Sequence, residues 1–454
     1  MTFKSINPAT GEAVAQHPAA SEAHIEQALA RAAAAAVEWA ALPVAERSRL
    51  LRAAAAVLRE RNESLARLIT LEMGKLLREA RAEVEKCATV LEFYAQEGPA
   101  WIADEPVGTD ASRSYVSYAP LGTILAVMPW NFPFWQVFRF AAPALVAGNT
   151  ALLKHAANVH LCALAIQEVF DAAGFPPGVF QNLLIGAERV AGVIHDPRVH
   201  AVSLTGSEAA GRKVAAVAGA ALKKSVMELG GSDPFVVLAD ADLDFTIPEA
   251  VRARFTNAGQ TCIAGKRFIV AEAIADEFVA RLRGAIEQLR PGDPLDDGTT
   301  LAPLARADQR EALHRQVTAS VAAGARLVTG GGPLDRPGFF YAPTLLDRVV
   351  PGMPAYHEEL FGPVALVLRA RDETEALRLA NDTPFGLGGS VWTRDSARGE
   401  SLVRQIECGC AFVNGVVKSD PRLPFGGVKA SGFGRELSHF GLREFVNART
   451  VWVR

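Results

Sequence analysis

The spacing of hydrophobic and polar positions changes character along the chain. From Ser21 to Glu97, alanine, leucine, arginine and glutamate recur at helical spacing, which predicts several packed helices. Ser21, followed by Glu22 and Ala23, is a start signal for the first of them. Ahead of it, Asn7-Pro8-Ala9-Thr10-Gly11-Glu12 reads as a turn between two short strands. Short apolar runs then take over: Thr123-Ile124-Leu125-Ala126-Val127-Met128, Thr150-Ala151-Leu152-Leu153-Lys154 and Ala201-Val202-Ser203-Leu204-Thr205, separated by helical stretches. That alternation predicts a parallel, helix-covered sheet. A second series follows Gly231, at residues 234–238, 266–270 and 365–368, so two α/β layers are expected. The closing stretch to Thr450-Val451-Trp452-Val453 reads as an edge strand.

At 454 residues the chain is too long for one core, and two or three domains are expected. Half of the residues are hydrophobic, which supplies ample buried surface. A net charge of −3 with no run of Lys/Arg gives no field for a polyanion, so nucleic acid is not an expected partner. Nor is a membrane: no apolar stretch reaches the span of a bilayer, and Met1 to Pro8 has no apolar core followed by a cleavage site. The five cysteines are odd in number and lack CxxC spacing, which argues against a disulfide scaffold or a zinc site and for a reducing cytoplasm.

Two segments carry the chemistry. Met227-Glu228-Leu229-Gly230-Gly231 offers a carboxylate beside two glycines, and Asn257-Ala258-Gly259-Gln260-Thr261-Cys262 presents one thiol at the end of a Gly/polar loop. A thiol that attacks a carbonyl and a carboxylate that activates water are the minimum parts for oxidising an aldehyde through a thioester. An oxyanion formed on the way needs donors. The backbone N–H of Cys262 supplies one and the side chain of Asn131, in Pro129-Trp130-Asn131-Phe132-Pro133, another. No side chain accepts hydride, so a nicotinamide is implied. Leu204-Thr205-Gly206-Ser207, ending a strand and opening a helix, suits a pyrophosphate although it is not GxGxxG. The plain alternatives are a buried cysteine, a surface glutamate paired with Lys223 or Lys224, a turn asparagine and an ordinary helix cap.

These segments, with Phe425-Gly426-Gly427-Val428-Lys429 through Gly434-Arg435-Glu436, resemble the aldehyde dehydrogenases over nearly the whole chain. The resemblance implies Cys262 as nucleophile, Glu228 as the base of a hydrolytic cycle and Asn131 as oxyanion donor. It also implies Trp130, Lys154, Gly206, Ser207, Leu229, Glu359 and Phe361 around the cofactor. NAD-selective relatives often carry Glu three residues after that lysine. Ala157 stands here, and Lys154 with His155 could favour NADP, so NAD or NADP is expected without preference.

At the substrate end, relatives that oxidise succinate semialdehyde have an arginine at the position of Arg139, whose paired donors suit a carboxylate. The alternative is Arg139 paired with an internal acid. Ser419 is expected at the same carboxylate, with Phe425, Phe132 and Trp135 walling the tunnel. Thr256 replaces a second arginine of the family, and Arg254 is left either at the tunnel mouth or in solvent. The expected fold is α/β, with a Rossmann-like cofactor domain (1–101 and 121–230), a catalytic thiol domain (231–430) and a β bridging arm (102–120 and 431–454). Through that arm such subunits pair as dimers or tetramers. The expected activity is oxidation of succinate semialdehyde to succinate. Glutarate semialdehyde, a broad aldehyde range and a binding protein without turnover are the alternatives.

Overall fold

The computed structural model describes residues 2–454. Its helical front begins where Ser21 caps the helix Glu22–Ala41, the hydroxyl accepting the His24 N–H at 3.2 Å. No single helix among the described residues is long and apolar enough to cross a membrane. The helices Glu22–Ala41 and Val44–Glu60 meet at 117° and bury Trp39, Leu51 and Leu58 in the core.

The apolar run Thr123–Met128 is covered on both faces, as a central parallel strand must be. It lies in a six-stranded sheet between Thr150–His155, which leads on to Phe180–Asn182, and Val199–Thr205, which leads on to Lys224–Glu228. Those pairings are parallel. Chain order therefore reverses between Thr123–Met128 and Val199–Thr205. A crevice opens beyond the carboxyl ends of strands at such a point, the usual place for a ligand in an open α/β sheet. Trp130 and Asn131 leave the first of these strands, and Gly206 and Ser207 leave the second.

The second sheet has seven strands, with Asp233–Val237 between Gly265–Ala271 and Gly388–Trp392, and only the Arg326–Thr329 edge antiparallel. A third, antiparallel sheet pairs Val446–Val453 with Arg113–Pro120 and Glu105–Pro106. Residues 431–436, grouped with this arm in the sequence reading, lie elsewhere. Gly432–Phe433 adds to the six-stranded sheet, Gly432 opposite Glu228. Gly432 has φ +110°, and a Cβ there would run into the Met227 carbonyl, so only glycine allows this pairing.

One buried acid ties the helical front to the crevice. Glu83, on the helix Leu77–Trp101, accepts the N–H groups of Phe134 at 2.9 Å and Trp135 at 3.0 Å, at the start of the helix Trp135–Val146. A carboxylate suits the positive end of a helix. Its other oxygen forms a buried ion pair with Lys75, whose Nζ also lies 3.6 Å from the centre of the Phe132 ring. Removing one partner of such a pair leaves an uncompensated buried charge. Glu83→Ala is therefore expected to cost about 3–5 kcal/mol in chemical denaturation, with Glu83→Gln recovering part of it. A loss below about 1 kcal/mol would mean that this acid does not anchor the helix.

Candidate active site

The thiol stands on an unusual piece of backbone. After the helix Leu243–Phe255, Asn257 (φ 54°), Ala258 (φ 52°) and Gly259 (φ 74°) are all left-handed. Only the glycine is at ease there, and a non-glycine residue in this region costs about 1–3 kcal/mol. At position 259 a Cβ would strike the Gly362 carbonyl.

Hydrogen bonds hold the loop in place. The Asn257 amide donates to Asn131 O at 2.9 Å and Gln260 O at 3.2 Å, and the Asn131 amide donates to Gln260 O at 3.0 Å. Gln260 donates to Asn257 O at 3.1 Å and accepts the Ala305 N–H at 2.8 Å. Lys266 donates to the carbonyls of Thr261 (2.9 Å) and Cys262 (2.7 Å) and pairs with Glu359 at 3.2 Å. Arg254 is neither at the tunnel mouth nor in solvent. It is wholly buried, donating to the carbonyls of Val364 (2.6 Å), Leu360 (2.7 Å), Gly259 (3.2 Å) and Gly362. Its planar fork joins the cysteine loop to the Glu359–Phe361 segment.

Two chambers meet at Cys262. One, of 310 Å³, is walled by Phe132, Trp135, Arg139, Ser419 and Phe425, and also by Glu79, Glu83 and Lys86. The other, of 250 Å³, is walled by Trp130, Asn131, Gly206, Ser207, Leu229, Gly230, Glu359 and Phe361. Cys262 and Gln136 line both. In the second chamber Trp130 and Phe361 meet edge to face at 5.7 Å, and Ser207 caps the helix Glu208–Ala220 through the Ala210 N–H at 3.3 Å. Gly230 shapes its floor, where a Cβ would collide with Glu359; behind it, a Cβ on Gly231 would sit 2.8 Å from the Cys262 carbonyl.

Two expected residues line neither chamber. Lys154 lies at the end of its strand, and burial lowers its ammonium. The expected help of His155 toward a 2′-phosphate is not available. Its ring nitrogens face Met128 O (3.2 Å) and Pro133 O (2.8 Å), and burial pushes it down to about 4, so the ring is neutral and structural. The second is Glu228, whose carboxyl is buried beside Gly426 and Glu436, with Oε1 lacking a hydrogen-bond partner. Burial first, then the Glu436 carboxyl, raise it well above the usual carboxylate range. It is not a surface acid paired with a lysine, because Lys224 pairs with Glu444 at 3.1 Å and Lys223 donates to Asp196 O at 2.5 Å.

Arg139 lines the first chamber, yet its charge is already engaged. It forms a buried ion pair with Glu436, donates to Thr205 Oγ1 at 3.3 Å and lies 4.7 Å from the centre of the Phe425 ring. The internal-acid alternative is therefore realised. Glu436 was legible only as part of a signature, and Lys86 not at all. The one available signal for Lys86 was its place with Glu79, Ala82 and Glu83 on a single face of the helix, at positions i, i+3, i+4 and i+7.

A thiol at the meeting point of two chambers, one opening on a helix start at a switch point and the other on cations and aromatic walls, defines a cysteine-dependent enzyme built around a dinucleotide crevice. Residues 1–451 match the aldehyde dehydrogenase family, and the chain belongs to it. It is 53% identical over 453 residues, all of both chains, to a Synechocystis sp. protein named probable succinate-semialdehyde dehydrogenase (NADP(+)). It is 50% identical to the Escherichia coli succinate semialdehyde dehydrogenase (NAD(P)+), covering 99% of this chain and 97% of that one. The crystal structure of succinic semialdehyde dehydrogenase from Streptococcus pyogenes, in complex with NADP+, superposes with a TM-score of 0.98 at 37% identity and 99% coverage of both chains.

Burial pushes the Cys262 thiol up to about 12, with Arg139 and Lys266 pulling in the opposite direction. Alkylation of the cofactor-free protein at Cys262 should therefore keep accelerating with pH beyond 9, because the thiolate fraction is still rising. A rate plateau reached below pH 8 would contradict this environment.

Proposed function

We propose that the protein oxidises succinate semialdehyde to succinate with NADP+ or NAD+, and the observation that carries this is Cys262 as the shared wall of the two chambers. The chamber beside Gly206 and Ser207 fits a dinucleotide. Exposed N–H groups at a helix start donate to a pyrophosphate, and Gly230 leaves room that a Cβ would fill. Trp130, Leu229, Glu359 and Phe361 would hold its nicotinamide half, with Lys154 further along. When bound, the oxidised nicotinamide supplies the hydride acceptor. Ala157, exposed in its 3₁₀ turn, places no carboxylate against a 2′-phosphate, which favours acceptance of NADP. The Synechocystis relative is named for NADP(+) and the Escherichia coli one for NAD(P)+.

In this reading the Cys262 thiol gives its proton up to solvent, and the thiolate adds to the aldehyde carbon as the C=O π electrons move onto oxygen. The resulting oxyanion accepts from the Asn131 amide and the Cys262 N–H. Loss of hydride from the same carbon leaves a thioester on the sulfur. Glu228 then activates water. From its buried position beside Glu436 it must first turn toward Cys262, and the Gly426 backbone leaves it room; the proton it draws from water passes on to solvent. Water adds to the thioester, the C–S bond breaks, and the acid leaves. Arg139, Lys86 and Lys418 give the chamber a positive wall for the far carboxylate, and Phe132, Trp135 and Phe425 enclose the methylenes. A homodimer or homotetramer formed through the Val446–Val453 edge, where Trp452 and Val453 are exposed, and a cytoplasmic setting complete the proposal.

The test is steady-state formation of reduced nicotinamide from succinate semialdehyde and butanal, each with NAD and NADP. A preference for the semialdehyde of at least an order of magnitude in kcat/KM is expected, since one charge-assisted contact is worth about 1.5–3 kcal/mol. Equal rates would leave a broad aldehyde dehydrogenase, and no rate with any pair would remove the enzymatic reading. Arg139→Leu should lower kcat/KM for semialdehyde and butanal alike, because it releases the buried Glu436 carboxyl beside Glu228, and a loss confined to the semialdehyde would return Arg139 to the substrate carboxylate. Glu228→Gln should lower kcat by about 10²–10⁴-fold yet keep a first-turnover burst of reduced nicotinamide.

A further inference from the structure

The cations on the wall of the substrate chamber differ in whether they are already neutralised. Arg139 is engaged by Glu436, Arg252 pairs with Glu249, and Lys418 is exposed. Lys86 is half-buried and has no carboxylate within ion-pair distance among the described residues. Its Nζ donates to Ser419 Oγ at 2.7 Å and lies 3.9 Å from the centre of the Trp135 ring. An ammonium has three N–H donors. Ser419 takes one and the indole face attracts the charge without satisfying the rest. Ser419 is itself buried, and while it accepts from Lys86 its hydroxyl hydrogen stays free to donate. Two donors thus stand side by side on the chamber wall, one of them cationic, as the two oxygens of a carboxylate require.

We propose that Lys86 is the principal cation seating the distal carboxylate of the substrate, acting as a fork with Ser419, while Arg139 chiefly holds the Glu228–Glu436 acid pair. This rests on the aldehyde reading above and names the residue that would select a carboxylated aldehyde. Burial first, then Arg139, lower the Lys86 ammonium to about 8, while Cys87, Glu83 and Asp420 raise it. The Lys86 charge is therefore lost as pH rises through about 8, and a bound carboxylate opposes that loss.

The experiment measures protection of Cys262 from iodoacetamide by succinate, as a ratio of alkylation rates with and without it, in wild type, Lys86→Met and Lys86→Arg. In Lys86→Met the succinate concentration giving half-protection should rise by about 10- to 100-fold. Lys86→Arg should stay near wild type, and wild-type protection should weaken above pH 8 while that of Lys86→Arg persists. Equal protection in wild type and Lys86→Met overturns the proposal. Loss in both variants, with no pH dependence in wild type, overturns it in favour of a packing role. Because no turnover is read, a wild type that ignored succinate semialdehyde would sink the substrate assignment while leaving this test intact.

Discussion

The hold of Arg254 on four backbone carbonyls is the constraint on which the rest of the site depends. A left-handed run at Asn257, Ala258 and Gly259 is unfavourable in isolation and persists only where its surroundings over-determine it. Arg254 supplies that from below, at Gly259 and across to Leu360, Gly362 and Val364. Lys266 supplies it from the other side through the Thr261 and Cys262 carbonyls. Both cations are buried, and backbone dipoles take up much of their charge. Their bonds therefore fix the loop while Glu359 remains at the wall of the dinucleotide chamber. One clamp thus sets the position of the thiol and of the Glu359–Phe361 segment.

The second organising feature is the buried sequence Glu228, Glu436, Arg139. Two carboxyls side by side in low dielectric cannot both ionise cheaply, and one guanidinium compensates only one of them. Glu228 takes the larger share of the upward shift and has no hydrogen-bond partner on Oε1. Burial raises the Cys262 thiol in the same way.

Much of the architecture was readable because it rests on local rules. Apolar runs at 123–128, 150–154 and 201–205 became parallel strands, and Ser21 capped its helix. The cysteine loop announced itself by a composition unfit for a core, and thirteen of the fifteen expected site residues line the two chambers, Lys154 and Glu228 being the exceptions. What was not readable depends on contacts between segments far apart in sequence. Arg254 looks like any basic residue in the last turn of a helix, and its four carbonyl partners lie in two other loops. His155 reads as a cation beside Lys154 until its ring is found between the Met128 and Pro133 carbonyls. Lys86 sits in a helix crowded with charges, and its contacts with Ser419, 333 positions away, and with the Trp135 ring distinguish it from a solvated lysine.

The most direct test is to trap the acyl group. Glu228→Gln protein would be mixed with succinate semialdehyde and NADP+, quenched in acid, digested and measured by mass spectrometry. The account predicts a succinyl thioester on the peptide carrying Cys262 and on none of those carrying Cys87, Cys162, Cys408 or Cys410. Reduced nicotinamide formed with no adduct on Cys262, or an adduct on another cysteine, would contradict it.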